Sequence, residues 1–277
     1  MFSSFKFALN FLKYWIFAKH AKGHGIHSPF IFDLITNVFN NKKVNDDLKQ
    51  IYHLHKKYMH STEPLIFDEM GAGSHKKAIT NLKSTNNRDS QIISTTIGKN
   101  IRNSSVSKKY GGLIYRLVKY FNPENILEIG TSLGISTMYI AKGAPKSTII
   151  TIEGVKVKIQ IAQELTKVLK INNINFLNGN FNTVLPEVLK KINTLDFVFF
   201  DGNHNQQATL KYFDICLAKA HNNSVFVFDD IHWSADMEKA WDKIKKHKKV
   251  SVSIDLFRMG IIFFRKEITK GHYKVKF

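Results

Sequence analysis

The chain has 277 residues, 43% of them hydrophobic, and carries a formal net charge of +19. That length suits one large globular domain with an extension, and the hydrophobic content is ordinary for a folded protein. A single cysteine, Cys216, excludes an intrachain disulfide framework and a Cys-rich zinc site, fits a reducing, cytoplasmic setting, and stands in a chain with no apolar run long enough to span a membrane.

The basic excess is nearly all lysine; the arginines are Arg88, Arg102, Arg116, Arg258 and Arg265. Readers of nucleic acid lean on the planar guanidinium fork for bidentate contacts. Scattered lysines therefore disfavour a nucleic-acid partner, and an AT-rich coding bias accounts for them equally well.

Residues 1–20 are rich in aromatics and predict a helix. Phe5, Leu9, Leu12 and Ile16 fall on one stripe, with Lys6, Asn10 and Lys13 opposite. Asn10 and Lys13 interrupt the apolar core that a signal peptide needs. Two placements fit: a helix docked on the domain or on a second subunit as a homodimer contact, and a helix lying peripherally in a membrane interface. The loop Gly23-His-Gly-Ile-His-Ser-Pro-Phe30 follows. Its glycines and proline mark a specific turn, and His20, His24 and His27 lack a carboxylate or Cys to complete a metal shell. Residues 31–60 are expected to be helical. Residues 61–105 are the least legible: Asp68–Ser74 superficially repeats an acid-then-glycine turn, and Lys76–Ser107 is expected to be a polar loop or lid.

From Tyr110 strands and helices alternate. Strands are expected at Ile126–Ile129, Thr148–Ile152, Asn175–Leu177, Phe197–Phe200 and Val225–Phe228, with helices between them. This spacing predicts a doubly wound α/β fold, a parallel sheet with helices on both faces. Val250–Asp255 and Ile261–Arg265 are joined by a link too short for a crossover, so that pair must be antiparallel. The expected organisation is a helical extension over residues 1–105 and the α/β domain over 106–277.

The stretch Asn125–Gly134, Asn-Ile-Leu-Glu-Ile-Gly-Thr-Ser-Leu-Gly, reads as strand, glycine turn and helix start, a unit that sets backbone N–H groups around a ligand. Glu128 inside the strand end is costly without a partner. Glu153 closes the second strand about 20 residues after the turn, where a carboxylate grips ribose hydroxyls. Asn180, after the third strand, can reach an adenine edge. Asp201 ends one apolar strand and Asp229-Asp230 another. If those strands are neighbours, three carboxylates converge, a donor set suited to Mg²⁺ or a similar hard cation. His204 and His232 follow closely; such a His can serve as a general base, and a structural role suits His232 equally well.

These residues resemble the class I S-adenosylmethionine-dependent methyltransferases. Glu128-Ile-Gly130-Thr131-Ser132-Leu-Gly134-Ile-Ser136 is similar to the first motif of the catechol-type O-methyltransferases. The resemblance covers about residues 106–270 and implies a Rossmann-like seven-stranded sheet of order 3-2-1-4-5-7-6. It implies that Glu128, Gly130 and Ser136 hold the methionine end of S-adenosylmethionine and that Glu153 holds its ribose, with Thr131, Ser132, Gly134, Asn180 and Asp201 as further cofactor-binding residues. It places Asp201, Asp229 and Asp230 at the family's metal carboxylates, with Asp-Asp where that group has Asp-Asn, and His204 at the spacing of the group's catalytic lysine. The amino-terminal loop resembles that of uncharacterised bacterial methyltransferase-like proteins. The expected activity is methyl transfer to a hydroxyl of a small-molecule acceptor, with Asp201 and His204 as catalytic groups and Mg²⁺ assistance. The rivals are an RNA methyltransferase, a nicotinamide oxidoreductase, disfavoured by Ser132 in the glycine turn, and a non-catalytic cofactor-binding protein.

Overall fold

The computed structural model describes residues 4–68 and 92–277. Helix α1 (Ser4–Phe17) is followed by α2 (Pro29–Asp33), which runs into a wider, π-type turn at Leu34–Phe39. The Gly-rich loop before α2 is a helix start: Ser28 caps the helix and Pro29 occupies its first turn, where the missing N–H costs nothing. Helix α3 (Asp46–Met59) leads to an antiparallel hairpin of β1 (Pro64–Asp68) and β2 (Ile92–Thr96). Residues 69–91, including most of the Asp68–Ser74 stretch and the first half of the expected lid, lie outside the described residues. The second half is not a loop: β2 passes directly into α4 (Ile97–Ser104). Its Ile97 and Ile101 are buried, and this single i,i+4 pair is the only apolar signal in an otherwise polar sequence.

Helix α5 (Lys108–Phe121) stops at Asn122, whose left-handed backbone closes the helix before Pro123. The α/β unit then runs β3 (Asn125–Ile129), α6 (Ile135–Gly143), β4 (Thr148–Glu153), α7 (Lys156–Val168), β5 (Ile174–Asn178), α8 (Phe181–Lys191), β6 (Leu195–Phe200), α9 (Gln206–Leu217), β7 (Ala220–Phe228), α10 (Ala235–Lys245), β8 (Val252–Asp255), β9 (Gly260–Phe263) and β10 (Gly271–Lys274). The sheet order is β10-β8-β9-β7-β6-β3-β4-β5. Seven strands follow the expected 3-2-1-4-5-7-6 order, and β9 alone runs antiparallel to its neighbours. The eighth, β10, is an addition that pairs parallel with β8; its Gly-His-Tyr-Lys sequence carries little strand signal.

Because side chains alternate across a strand, each central strand feeds two cores. Phe197, Phe199, Val225 and Val227 pack with α5, α6 and the amino-terminal helices, while Val198, Phe200, Phe226 and Phe228 pack with α8, α9 and α10. Phe200 and Phe228 stack at 4.3 Å between ring centres, which locks β6 to β7 just below the strand ends that carry the acids. Continuous apolar runs of this kind belong to strands buried on both faces.

The amino terminus is tied to the carboxyl terminus. Lys19 bridges to Val275 beyond β10, and the Tyr14 hydroxyl donates to the Val275 carbonyl. Helix α1 docks through Phe7, Phe11 and Tyr14, whose rings surround Phe257 at 5.0–5.2 Å. Of the three α1 rings only Tyr14 is buried; Phe7 and Phe11 keep an exposed flank, and Leu9, Leu12 and Ile16 of the expected stripe are exposed, as are Trp15 and Phe17. Both stripes are apolar, so periodicity could not choose; the Phe257 ring does. Among the described residues no helix is long and apolar enough to cross a membrane.

Candidate active site

The expected site residues gather at the carboxyl ends of β3, β4, β6 and β7, which adjoin in the sheet. The turn after β3 passes through left-handed backbone at Gly130, Ser132 and Gly134. Gly130 must be glycine twice over: its φ is +105°, and a Cβ would lie 2.5 Å from the Asp201 carbonyl oxygen. The turn hangs on β4, since the N–H groups of Gly130 and Thr131 both donate to the Ile152 carbonyl.

Glu128 is fully buried. Its carboxylate accepts from Ser136 Oγ at 2.7 Å, Thr137 Oγ1 at 2.5 Å and Thr151 Oγ1 at 2.7 Å. Thr151 has one proton and gives it to Glu128, so in the 2.6 Å contact between Thr131 and Thr151 the donor is Thr131. Within the chain the partners of this acid are therefore three hydroxyls. Burial pushes the Glu128 carboxyl up, the three hydroxyls pull it back, and it settles at about 7. Thr137 and Thr151 are functional neighbours that sequence reading missed. Thr151 is the direct β4 partner of Glu128, a fact of register that no local pattern announces.

Glu153 ends β4 as expected, and each of its oxygens already accepts a backbone N–H: Ser132 at 2.9 Å and Val155 at 3.0 Å. A carboxylate has about four lone-pair sites, so two hydroxyls can still be taken. Asn180 serves as the cap of α8, accepting from the Asn182 N–H at 2.8 Å, which gives it a structural task beside the adenine contact expected of it. The cleft over the turn is lined by Thr131, Ser132, Ser136 and Asp201 on one side. Asn100, Ile101, Ser104 and Ser105 of the α4 region form the other, a wall that sequence reading did not supply.

Asp201 and Asp229 leave adjacent strands, and His204 Nε2 lies 3.5 Å from Asp201 Oδ1. Its ring stands 5.9 Å from that of Trp233. Burial pushes the imidazole below its ordinary pKa, so at neutral pH it is an unprotonated acceptor. His232 is structural: its two nitrogens meet Glu238 at 3.1 Å and Asp255 at 2.9 Å. Burial pushes it down, and the two acids more than reverse that.

The Mg²⁺ site expected from Asp201, Asp229 and Asp230 is not borne out by the arrangement of these side chains. Among the described residues no group of three His, Cys, Asp or Glu side chains is disposed to hold a metal ion. Arg258, from the link between β8 and β9, stands among the acids instead. Its Nε and Nη2 meet the two oxygens of Asp229, both at 3.3 Å, and Nε is also 3.3 Å from Asp230 Oδ1. One guanidinium serves several acids: burial and mutual repulsion hold both Asp201 and Asp229 above the ordinary carboxylate range, while the acids raise Arg258 further. The sequence showed Arg258 only as part of a short link, far along the chain from the acids it meets.

This sheet order, with a glycine turn after the first central strand and acids at the ends of the next, defines the α/β fold of the class I methyltransferases. Residues 127–231 match a family model described as a methyltransferase domain. It is 25% identical over 134 residues to ribosomal RNA small subunit methyltransferase G of Francisella tularensis, covering 45% of this chain and 64% of that one. It is also 25% identical over 130 residues to a catechol O-methyltransferase of Niastella koreensis, covering 46% and 58%. The chain thus spans less than two thirds of these curated relatives. In fold it is similar to an O-methyltransferase of Bacillus cereus in complex with S-adenosylhomocysteine (TM-score 0.54, 17% identity, 81% of this chain and 93% of that one). It is likewise similar to an S-adenosylhomocysteine-bound methyltransferase of Podospora anserina (TM-score 0.57, 14% identity, 82% and 91%).

Proposed function

We propose that this protein transfers a methyl group from S-adenosylmethionine to a hydroxyl of a small-molecule acceptor. The observation that carries the reading is the ordered set of acids at adjoining strand ends around one glycine turn: Glu128, Glu153 and Asp201, with His204 beside the last. The residues fit the cofactor. Glu153 retains lone pairs for two ribose hydroxyls, and the turn residues Thr131 and Ser132, with Ser136, border the cleft. S-adenosylmethionine, when bound, supplies a methyl group made labile by its sulfonium. The protein's part is then to position and desolvate. Gly130 brings the turn against Asp201, the α4 wall keeps water from one side, and His204 takes the acceptor proton while Asp201 orients its ring.

Calorimetry with S-adenosylhomocysteine tests the cofactor half. The wild type should bind, and Glu153→Gln, which keeps the shape but weakens acceptance, should bind at least about 10-fold more weakly, near 1.4 kcal/mol. Absence of binding by the wild type would overturn the reading. His204→Gln should keep that affinity and lower kcat by about 100-fold. An RNA acceptor is the second reading, favoured by the net +19 and by the likeness to the ribosomal RNA enzyme. It requires that methylation of RNA fall steeply as salt rises.

A further inference from the structure

A buried carboxylate cluster at the mouth of a cofactor cleft needs positive charge, and a divalent cation is one source of it. Here the source is covalent. Arg258 takes Asp229, which is buried, in a two-pronged contact, and reaches Asp230 through the same Nε. The contact is built, since the link that carries Arg258 is anchored from three directions. The Arg258 carbonyl accepts from the Ile231 N–H at 3.1 Å, the Leu256 N–H donates to Met259 at 2.9 Å, and the Tyr110 hydroxyl donates to the Leu256 carbonyl at 2.8 Å. Guanidinium stays charged at any working pH and matches a carboxylate edge to edge. A dication entering the same cluster would meet that charge at close range in a poorly solvated place.

We propose that Arg258 is the resident cation of the Asp201–Asp229–Asp230 cluster, that it excludes divalent metal ions from the site, and that the guanidinium edge its aspartate contacts leave unused is the donor to the acceptor oxygen. The acceptor half rests on the methyl-transfer reading; the metal half does not. Mn²⁺ titration by calorimetry separates them. The wild type should take up no Mn²⁺ at micromolar concentrations. Arg258→Ala, with the acids uncovered, should bind one Mn²⁺ per chain at least 10-fold more tightly than the wild type, and Arg258→Lys should behave as the wild type. Stoichiometric Mn²⁺ binding by the wild type, lost in Asp229→Asn, would overturn the proposal. So would an Arg258→Ala protein that keeps native circular dichroism and gains no Mn²⁺ affinity. If Arg258→Ala does not fold, the wild-type titration alone decides. S-adenosylhomocysteine binding in the same calorimeter tests the methyl-transfer reading separately. For the acceptor half, Arg258→Lys should raise KM for a hydroxyl substrate by about 10-fold more than it raises the dissociation constant of S-adenosylhomocysteine; equal effects would reject it.

A second observation, independent of the site, concerns α1. Its outward stripe of Leu9, Leu12, Trp15, Ile16 and Phe17 is exposed beside Lys13, and Lys276 lies 3.5 Å over the Trp15 ring. Aromatic and aliphatic groups edged by lysines suit the boundary of an anionic bilayer. A second copy of this chain would bring another +19 against the first. We infer that this face docks on an anionic membrane surface. Sedimentation with vesicles should show binding to phosphatidylglycerol, at least 10-fold less binding to phosphatidylcholine, and loss with Leu12→Glu/Ile16→Glu. Equal binding to both lipids, binding unchanged in that variant, or a wild-type dimer that the same variant splits would overturn it.

Discussion

Two buried acids, Glu128 and Asp229, lie on strands separated by β6 and are satisfied by opposite means. Glu128, in β3, is met by three neutral hydroxyls from α6 and β4. Asp229, at the end of β7, is met by one guanidinium. Hydroxyls add hydrogen bonds without charge, so burial still wins and the Glu128 carboxyl stands at about 7. A guanidinium adds charge, but a single one shared among three acids leaves Asp201 and Asp229 raised as well. The difference is one of consequence. Losing a hydroxyl from the first group removes a fraction of its support, whereas losing Arg258 from the second removes all its positive charge at once.

The largest expected effect follows from that asymmetry. Arg258→Ala should destabilise the protein by about 3 kcal/mol at pH 8, because it strands Asp229 without a countercharge. Urea denaturation measures it. The deficit should shrink toward pH 6 as the raised carboxyls take up protons. A loss below about 1 kcal/mol at pH 8 would mean that the guanidinium is dispensable and the comparison fails.

How much of this was legible in the chain divides along the same line. The glycine turn, Glu128, Glu153 and the strand-end aspartates announce themselves because each needs a particular residue at a particular strand end. Alternation and the short link announced a parallel sheet ending in an antiparallel pair, and the seven-strand order was what the resemblance to the methyltransferases implied. What supports the acids was not legible. Thr151 reaches Glu128 through strand register, and Arg258 reaches Asp229 across 29 positions through a hairpin link with no pattern of its own. The α4 wall offered only Ile97 and Ile101 in a polar sequence, and β10 only four residues. Acids are placed by local backbone, but their partners are chosen by tertiary contact. Thus the three-acid donor set was read without the arginine that closes on two of its members.

The next effect in size concerns pH. Glu128 has an ordinary value of 4.5 and a folded value of about 7, so between those limits the folded chain holds a proton that the unfolded chain has lost. Its contribution is therefore complete below about pH 4.5, declines as pH rises, and is gone above about 7. Glu128→Gln cannot titrate, so a plot of stability against pH should lose a falling component on the order of 2 kcal/mol between pH 5 and 7.5 relative to the wild type. Parallel curves for the two proteins would show that Glu128 is ionised throughout and that the hydroxyls, not burial, dominate.

The smallest effect is the most discriminating. Thr137→Val keeps the shape of the side chain and removes one of three donors to Glu128. A hydrogen bond to an ionised group is worth more than one to a neutral group, so the loss should be about 1.5 kcal/mol at pH 8.5, where Glu128 is charged, and less than half of that at pH 5.5. With one donor fewer the carboxyl moves further above 7, and the falling limb of the stability curve should extend to higher pH. Arg258 supplies the control, since Thr137 touches no member of its cluster and Mn²⁺ exclusion should be unchanged in the variant. A loss equal at both pH values would mean that Thr137 contributes packing alone. Glu128 would then rest on Ser136 and Thr151, and its neutral support would be as concentrated as the charged support of Asp229.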